Sequence, residues 1–149
     1  MIAWYKQEHP ASCVAACLRI VLSGFGQLCQ EIEIRRLLGN PRVGVTLRVA
    51  AIKLLEAGTI AELHEDWGID DLRDCPRAGW NPSVGLERRF FGYPDASHAV
   101  VLVAMRSSEV KALGPLIGPE PQSYQATTFE AAWKSAGQEA LVLTAPWRG

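Results

Sequence analysis

The sequence predicts a single α+β domain over residues 1–149, with an N-terminal helical half packed on a C-terminal antiparallel sheet. Two patterns predict this class. Up to about residue 58, apolar residues recur at helical spacing and the runs end at glycines. Beyond that point, short apolar or alternating runs stand between turn-forming residues, which is typical of strands. A chain of 149 residues is long enough to bury one core, and we expect a cleft between the two halves.

The first helix is predicted to begin at Cys13. From Val14 to Leu22 almost every residue is apolar and Arg19 carries the only charge, so this helix should be buried nearly all round. Ser12 is a natural N-cap whose hydroxyl can accept from an early amide. Gly24 is a suitable residue to end the helix.

Cys13 is the candidate nucleophile. A thiol at a helix N-terminus lies at the positive end of the backbone dipole, which favours the reactive thiolate. Gln7 lies six residues earlier, and its side-chain amide together with the Cys13 N–H could form an oxyanion hole. The alternative interpretation is that Cys13 is an inert core residue and Gln7 a surface residue.

Two more helices are predicted before the sheet. Gln30 to Leu38 has apolar residues at helical spacing and closes at Gly39. A turn over residues 40–44, NPRVG, leads to Thr46, the expected N-cap of a third helix that ends near Gly58. The predicted buried face of the third helix comprises Leu47, Ala50, Ala51, Leu54 and Leu55.

The middle of the chain is less regular. Thr59 to Leu63 is the first candidate strand. The acidic run Glu65 to Asp74 predicts a solvated loop or short helix, with attraction of a basic substrate segment as the alternative. Phe90 and Phe91 are expected to be buried in the sheet, although they could instead bind apolar substrate side chains. A turn is expected at Gly92 to Asp95.

His98 opens the most apolar run of the chain, SHAVVLVAM, which predicts a buried central strand. A titratable ring at a strand end can face a cleft, so His98 is the candidate general base, with a structural histidine as the alternative. Further on, Thr128 is the expected cap of a last helix and Glu139 to Thr144 a last strand.

These motifs, in this order, resemble the papain-like cysteine peptidases that remove double-glycine leaders from bacteriocin precursors. Gln7 followed by SCVAACL is similar to the Gln…Asp-Cys-Gly-x-Ala-Cys-Leu start of that family. SHAVVLV is similar to the strand that carries the family's histidine, and VKALGPLIG at residues 110–118 is similar to its Val-x-Val-x-Asp-Pro-x-x-Gly turn. The resemblance implies a papain-like fold, with Cys13 attacking a peptide, His98 moving the proton and Gln7 holding the oxyanion.

The chain departs from the family pattern at functional positions. Ser12 and Val14 stand where the family has Asp and Gly, and Gly114 stands where it has the Asp that orients the imidazole. Asp95, Glu120, a backbone carbonyl or a water are the alternative orienting groups. The departures favour, as a second hypothesis, a catalytically degenerate domain that binds a peptide without cleaving it. A third is a redox or acyl-transfer protein that uses its cysteine.

The net charge and the hydropathy of the chain exclude some classes of binding partner. A net charge of −1 and a pI near 6.3 give no basis for binding nucleic acid or an anionic membrane. No signal peptide and no apolar stretch of about 20 residues is present, which predicts a cytoplasmic chain without a membrane segment. The resemblance implies a peptide or protein substrate and a separate exporter.

The four cysteines are expected to be reduced thiols. Cys13 and Cys17 are spaced unfavourably for a disulfide, and Cys29 and Cys75 show no paired ligand spacing. Zinc held by these thiols with His64 or His98 is the alternative, which the missing paired ligand spacing disfavours. No metal and no cofactor are predicted.

Overall fold

The computed structural model describes residues 2–39, 44–93 and 97–147. The helices of this part of the chain are α1 (Cys13–Ser23), α2 (Glu31–Leu37), α3 (Leu47–Glu56), α4 (Ile69–Arg77) and α5 (Ala126–Ser135). The strands are β1 (Ala61–His64), β2 (Ser83–Glu87), β3 (Ser97–Met105), β4 (Glu109–Leu113), β5 (Gln122–Gln125) and β6 (Ala140–Leu143), and a 3-10 helix (Arg88–Phe91) follows β2. Most of the turn predicted at residues 40–44 lies outside the described residues, as does the end of the turn predicted at Gly92 to Asp95.

The strands form one antiparallel sheet in the order β1-β6-β2-β3-β4-β5. The longest strand, β3, lies inside the sheet, and its His98 is opposite Leu86 of β2. The predicted α+β class and the C-terminal antiparallel sheet are therefore confirmed.

Helices cover both faces of this sheet. One core packs α1, α2 and α3 against the face that carries Ala99 and Val101 of β3. The other core packs α4 and α5 against the face that carries Val100 and Leu102. Successive strand residues point to opposite faces, so the uniformly apolar β3 supplies both cores.

The helix α1 spans the predicted residues, but its cap differs. The Ser12 hydroxyl accepts from the His9 N–H at 3.1 Å and donates to the His9 carbonyl at 2.9 Å, and it makes no bond to a helix amide. The prediction that Ser12 caps the helix through its side chain is wrong, because this hydroxyl closes the preceding loop instead.

The helix α3 begins as predicted. Thr46 Oγ1 accepts from the Val49 N–H at 3.1 Å, so Thr46 is the N-cap. Leu54 is buried, whereas Leu55 is 57% exposed and does not belong to the core. Its position falls just beyond the helix arc that faces the sheet, which is why the spacing misassigned it.

The middle of the chain differs most from the predictions. The strand β1 begins at Ala61, two residues later than predicted, whereas the second half of the acidic run lies in α4, in agreement with the short helix that was one of the two predicted outcomes. Phe90 and Phe91 lie in the 3-10 helix and not in the sheet; Phe90 is exposed and the Phe91 ring contacts that of Tyr124 at 4.9 Å between centroids. The expectation that both phenylalanines are buried in the sheet is wrong.

The last part of the chain completes the sheet. The helix α5 begins at Ala126, so Thr128 lies within its first turn and the prediction that Thr128 is the cap is wrong. The edge strand β5 pairs with β4 and was not predicted. The last strand, β6, lies where expected along the chain and is inserted between β1 and β2.

Candidate functional site

Cys13 is the first residue of α1 and is partly exposed. The first amides of a helix have no acceptor within it, so the N–H groups near Cys13 are directed away from the helix body. The first turn contains no acidic residue that would oppose a thiolate. Local structure thus places a thiol in a setting that suits a nucleophile.

His98 is the second residue of β3 and lines the same cavity as Cys13. We call this cavity, of about 210 Å³, the thiol cavity. It is also lined by Val14, Val45, Thr46, Leu47, Gly85, Ser97, Ala99, Ala136 and Glu139. The fold therefore brings together two of the three candidate site residues, which are 85 positions apart in the chain.

Gln7 is buried and lines a separate cavity with Glu8, His9, Pro10 and Leu116, and its side-chain donors are engaged within its own loop. Its side-chain Nε2 donates to the carbonyls of His9 at 2.9 Å and Pro10 at 3.1 Å. Its backbone N–H donates to the Pro115 carbonyl at 3.0 Å. A reversed amide would place Oε1 against two carbonyl oxygens, so this orientation is the favourable one.

Gln7 Oε1 is buried, and no donor reaches it within the described part of the chain. An amide with two bonded hydrogens has no third to offer. Gln7 can donate to an oxyanion only by giving up its bond to His9 or to Pro10.

Glu31 holds the same loop from the helical side and was missed by the sequence analysis. Its carboxylate is fully buried and accepts from the Glu8 N–H at 3.0 and 3.3 Å, with Arg35 Nε at 3.3 Å. A carboxylate at this position shares a helix face with Ile34, which is buried, and that pattern was the available signal.

The segment around Gln7 thus connects the two halves of the domain. The Glu8 N–H donates to Glu31 of α2, and the Gln7 N–H donates to the Pro115 carbonyl. The Trp4 indole donates to the Gly114 carbonyl at 3.0 Å. Because Gly114 and Pro115 follow β4, the loop is fixed to the sheet as well as to the helices.

Gly114 provides no carboxylate, and the space beside it is filled. A Cβ at Gly114 would lie 3.0 Å from Ile117 Cδ1 and 3.2 Å from Ile117 Cγ1. Of the alternative orienting groups, Asp95 lies outside the described residues and Glu120 is exposed to solvent.

The other three thiols lie in less reactive environments. Burial raises the pKa of Cys17 well above its usual range, and the neighbouring Cys13 thiol adds a smaller effect in the same direction. Burial raises the pKa of Cys29, with Glu33 adding to the effect and Arg19 opposing it. Burial, with a contribution from Glu62, raises the pKa of Cys75 to about 11. These thiols are therefore internal references for the reactivity of Cys13.

Within the described ranges, no three His, Cys, Asp or Glu side chains are grouped to bind a metal ion. None of the helices described is sufficiently long and apolar to cross a bilayer.

The fold has counterparts among solved structures. A protein described as a C39-like peptidase from Bacillus anthracis superposes with a TM-score of 0.73 at 17% identity, covering 99% of this chain and 98% of that one. The peptidase domain of Streptococcus ComA, a bifunctional ABC transporter of a quorum-sensing pathway, gives 0.76 at 16% identity, with 98% and 99% covered. No protein-family model and no curated protein sequence matches the chain.

The chain has the fold of these C39-like peptidase domains over nearly its whole length. The likeness confirms the papain-like architecture that the sequence motifs predicted. At 16 to 17% identity it establishes the fold alone, and the chemistry has to be argued from the side chains.

Proposed function

We propose that this protein is a cysteine peptidase or related amide hydrolase that cleaves a peptide, after small residues. The observation that carries the proposal is that Cys13 at the start of α1 and His98 at the start of β3 line one cavity. The C39-like fold and the order of Gln7, Cys13 and His98 along the chain support it.

The proposed mechanism needs no cofactor. The Cys13 thiol gives its proton to His98 and the thiolate attacks the scissile carbonyl. The Cys13 N–H and the Gln7 amide stabilise the oxyanion, and Gln7 exchanges one of its loop bonds for this contact. When the tetrahedral intermediate collapses, the C–N bond breaks and His98 protonates the amine. Water then hydrolyses the thioester.

Gly114 affects this mechanism less than it would affect a serine enzyme. Removing the Asp of a serine triad costs about 10⁴ in rate, because the neutral histidine must hold the correct tautomer. A cysteine is acidic enough to form a thiolate–imidazolium pair before substrate binds, so the orienting group contributes less.

A second function is favoured by specific observations. Ile117 fills the space beside Gly114, and both donors of the Gln7 amide are engaged. Both features fit a domain that binds a peptide in the same cleft without cleaving it.

The third hypothesis, redox or acyl transfer by Cys13, predicts a mixed disulfide or a thioester adduct.

The test measures how the rate of alkylation of Cys13 by iodoacetamide depends on pH, by peptide mapping in wild type and His98→Ala. Rapid labelling near pH 5 that is lost in the variant would support the ion pair. A rate that rises only around the ordinary thiol pKa of about 8.5 would contradict it. Labelling of Cys17, Cys29 and Cys75 serves as the internal control in each sample.

A binding measurement separates the two functions. Peptides from a Gly-Gly leader library are tested for binding and cleavage with wild type and Cys13→Ala. Cleavage by wild type alone supports the hydrolase. Equal binding to both proteins with no cleavage supports the peptide-binding domain.

The setting in which the protein acts is also a proposal. The chain is proposed to act in the cytoplasm on a peptide or protein substrate, alongside a separate exporter. The solved ComA domain is part of an ABC transporter, which supports an exporter as the partner.

A further inference from the structure

A second cavity, of about 280 Å³, is also lined by His98, and the mechanism above does not use it. We call it the aromatic cavity. It is lined by Leu86 and Val100 of the sheet, whereas the thiol cavity is lined by Gly85 and Ala99. Neighbouring strand residues point to opposite faces. The two cavities therefore lie on opposite faces of the sheet. By the same alternation His98 belongs to the face of Val100 and Leu86, and because it is the second residue of β3, at the end of the strand, it lines the thiol cavity as well.

The lining of the aromatic cavity is mostly apolar. Phe91 and Tyr124 pack with ring centroids 4.9 Å apart, and burial raises the pKa of Tyr124. Leu116, Ile117 and Tyr93 also line it, and each is more than 40% exposed. Large apolar side chains exposed together around a cavity mark a surface that binds another apolar group.

The size and charge of the aromatic cavity restrict its occupant. Its volume is below the range of about 300–1,000 Å³ that is typical of cavities for a whole small molecule. It is large enough for one bulky side chain. The Arg88 guanidinium lies 4.3 Å from the Tyr93 ring centroid at the same cavity, and no described residue of the lining carries a carboxylate, so the cavity offers a cationic side chain no partner of opposite charge.

The order of bond breaking determines which part of a peptide reaches this cavity. The acyl half of the substrate becomes bonded to Cys13 and therefore occupies the thiol cavity. The amine half leaves when the C–N bond breaks, and its nitrogen takes the proton that His98 received from Cys13. His98 must contact that nitrogen, so the amine half extends past His98.

We propose that the aromatic cavity binds a large apolar side chain, carried by one of the first residues of the peptide segment that leaves as the amine. This inference rests on the proposed hydrolase, because it assigns the two sides of the cleft from the roles of Cys13 and His98. It adds selectivity for the sequence that follows the scissile bond.

The first experiment measures binding of leaving-side probes by shifts in ¹H–¹⁵N spectra of the full chain. The probes are Phe-Ala-amide, Gly-Ala-amide and Lys-Ala-amide. We expect Phe-Ala-amide to bind about tenfold more tightly than the other two and to shift the amides of Leu116 and Tyr124. Equal affinities, or shifts centred on Cys13 and Val45, would overturn the inference.

A variant that fills the cavity supplies the matched control. Ser123 is exposed on the edge strand β5 and lines the aromatic cavity, so Ser123→Trp should block Phe-Ala-amide without unfolding the protein. Thr127→Trp places the same ring on an exposed position of α5 and should leave binding unchanged. Undiminished binding to Ser123→Trp would refute the assignment.

Cleavage assays distinguish a failure of this inference from a failure of the proposed hydrolase function. Quenched peptides carry Phe, Gly or Lys after a Gly-Gly bond, and Cys13→Ala serves as the inactive reference. Cys13-dependent cleavage with equal kcat/KM for all three would refute the inference and leave the hydrolase standing. Selective binding of Phe-Ala-amide by a protein that cleaves no peptide would refute the hydrolase and still support the cavity as a site for an apolar side chain.

Discussion

Replacing Glu31 by alanine is expected to lower the free energy of unfolding by about 3 kcal/mol. The Glu31 carboxylate has no exposed surface and accepts from the Glu8 N–H at 3.0 and 3.3 Å. Losing this acceptor costs about 1–3 kcal/mol, since a part-buried N–H is left without its bond. Breaking a buried ion pair costs about 3–5 kcal/mol. The Arg35 side chain is 17% exposed and so partly hydrated, which reduces the second cost.

The assay is urea unfolding followed by circular dichroism, with a thermal scan of the same samples. For a chain of this size about 3 kcal/mol corresponds to a Tm lower by roughly 6–12 °C. Glu31→Gln keeps the volume and an acceptor, so it should lose only about 1–2 kcal/mol. Hydrogen exchange at the Glu8 amide should accelerate in Glu31→Ala even under conditions where the variant is folded.

Glu33→Ala is the matched control, because Glu33 is an exposed glutamate of the same helix α2. Its effect should stay within about 0.5 kcal/mol. A Glu31→Ala protein as stable as this control would refute the reasoning that the buried carboxylate holds the loop of Gln7.

Three further predictions concern other parts of the chain. Gly114→Asp alone should lose about 1 kcal/mol through contact with Ile117, the low end of an overpacking cost because the Ile117 side chain is half exposed and can shift. Adding Ile117→Ala should relieve this loss and extend Cys13 alkylation to lower pH, and additive effects in a double-mutant cycle would contradict the prediction. Thr46→Ala should lower the free energy of unfolding in urea by about 1 kcal/mol, because α3 loses its N-cap. Thr128→Ala should lower it much less, because α5 begins before Thr128, and equal losses would refute these cap assignments. The pKa of Cys75 is raised to about 11, so the unfolded chain loses the thiol proton at lower pH than the folded protein does. The free energy of unfolding should therefore fall between about pH 9 and pH 11, by up to about 1.4 kcal/mol per pH unit. Urea unfolding of Cys75→Ala should show a shallower fall with pH, and an unchanged slope would contradict the prediction.

The sequence by itself determined the class of the fold and the elements that carry the candidate site. Local signals decided these features. The run after Cys13 is too apolar to lie on a surface, Thr46 precedes a helical repeat, and the stretch after His98 is apolar at every position, as an internal strand requires. The spacing of motifs along the chain indicated the papain-like architecture, which the structural likeness confirms.

Only the tertiary structure decided how these elements meet. The pairing of β6 between β1 and β2, the shared cavity of Cys13 and His98, and the burial of Glu31 against the Glu8 N–H all depend on contacts between distant parts of the chain. Local propensity carries no information on such contacts. The same limit explains the error at Ser12, whose hydroxyl bonds to the His9 backbone that the folded loop brings near it. At Thr128 the error lies in the helix boundary, because α5 begins at Ala126, directly after the pairing of β5 with β4.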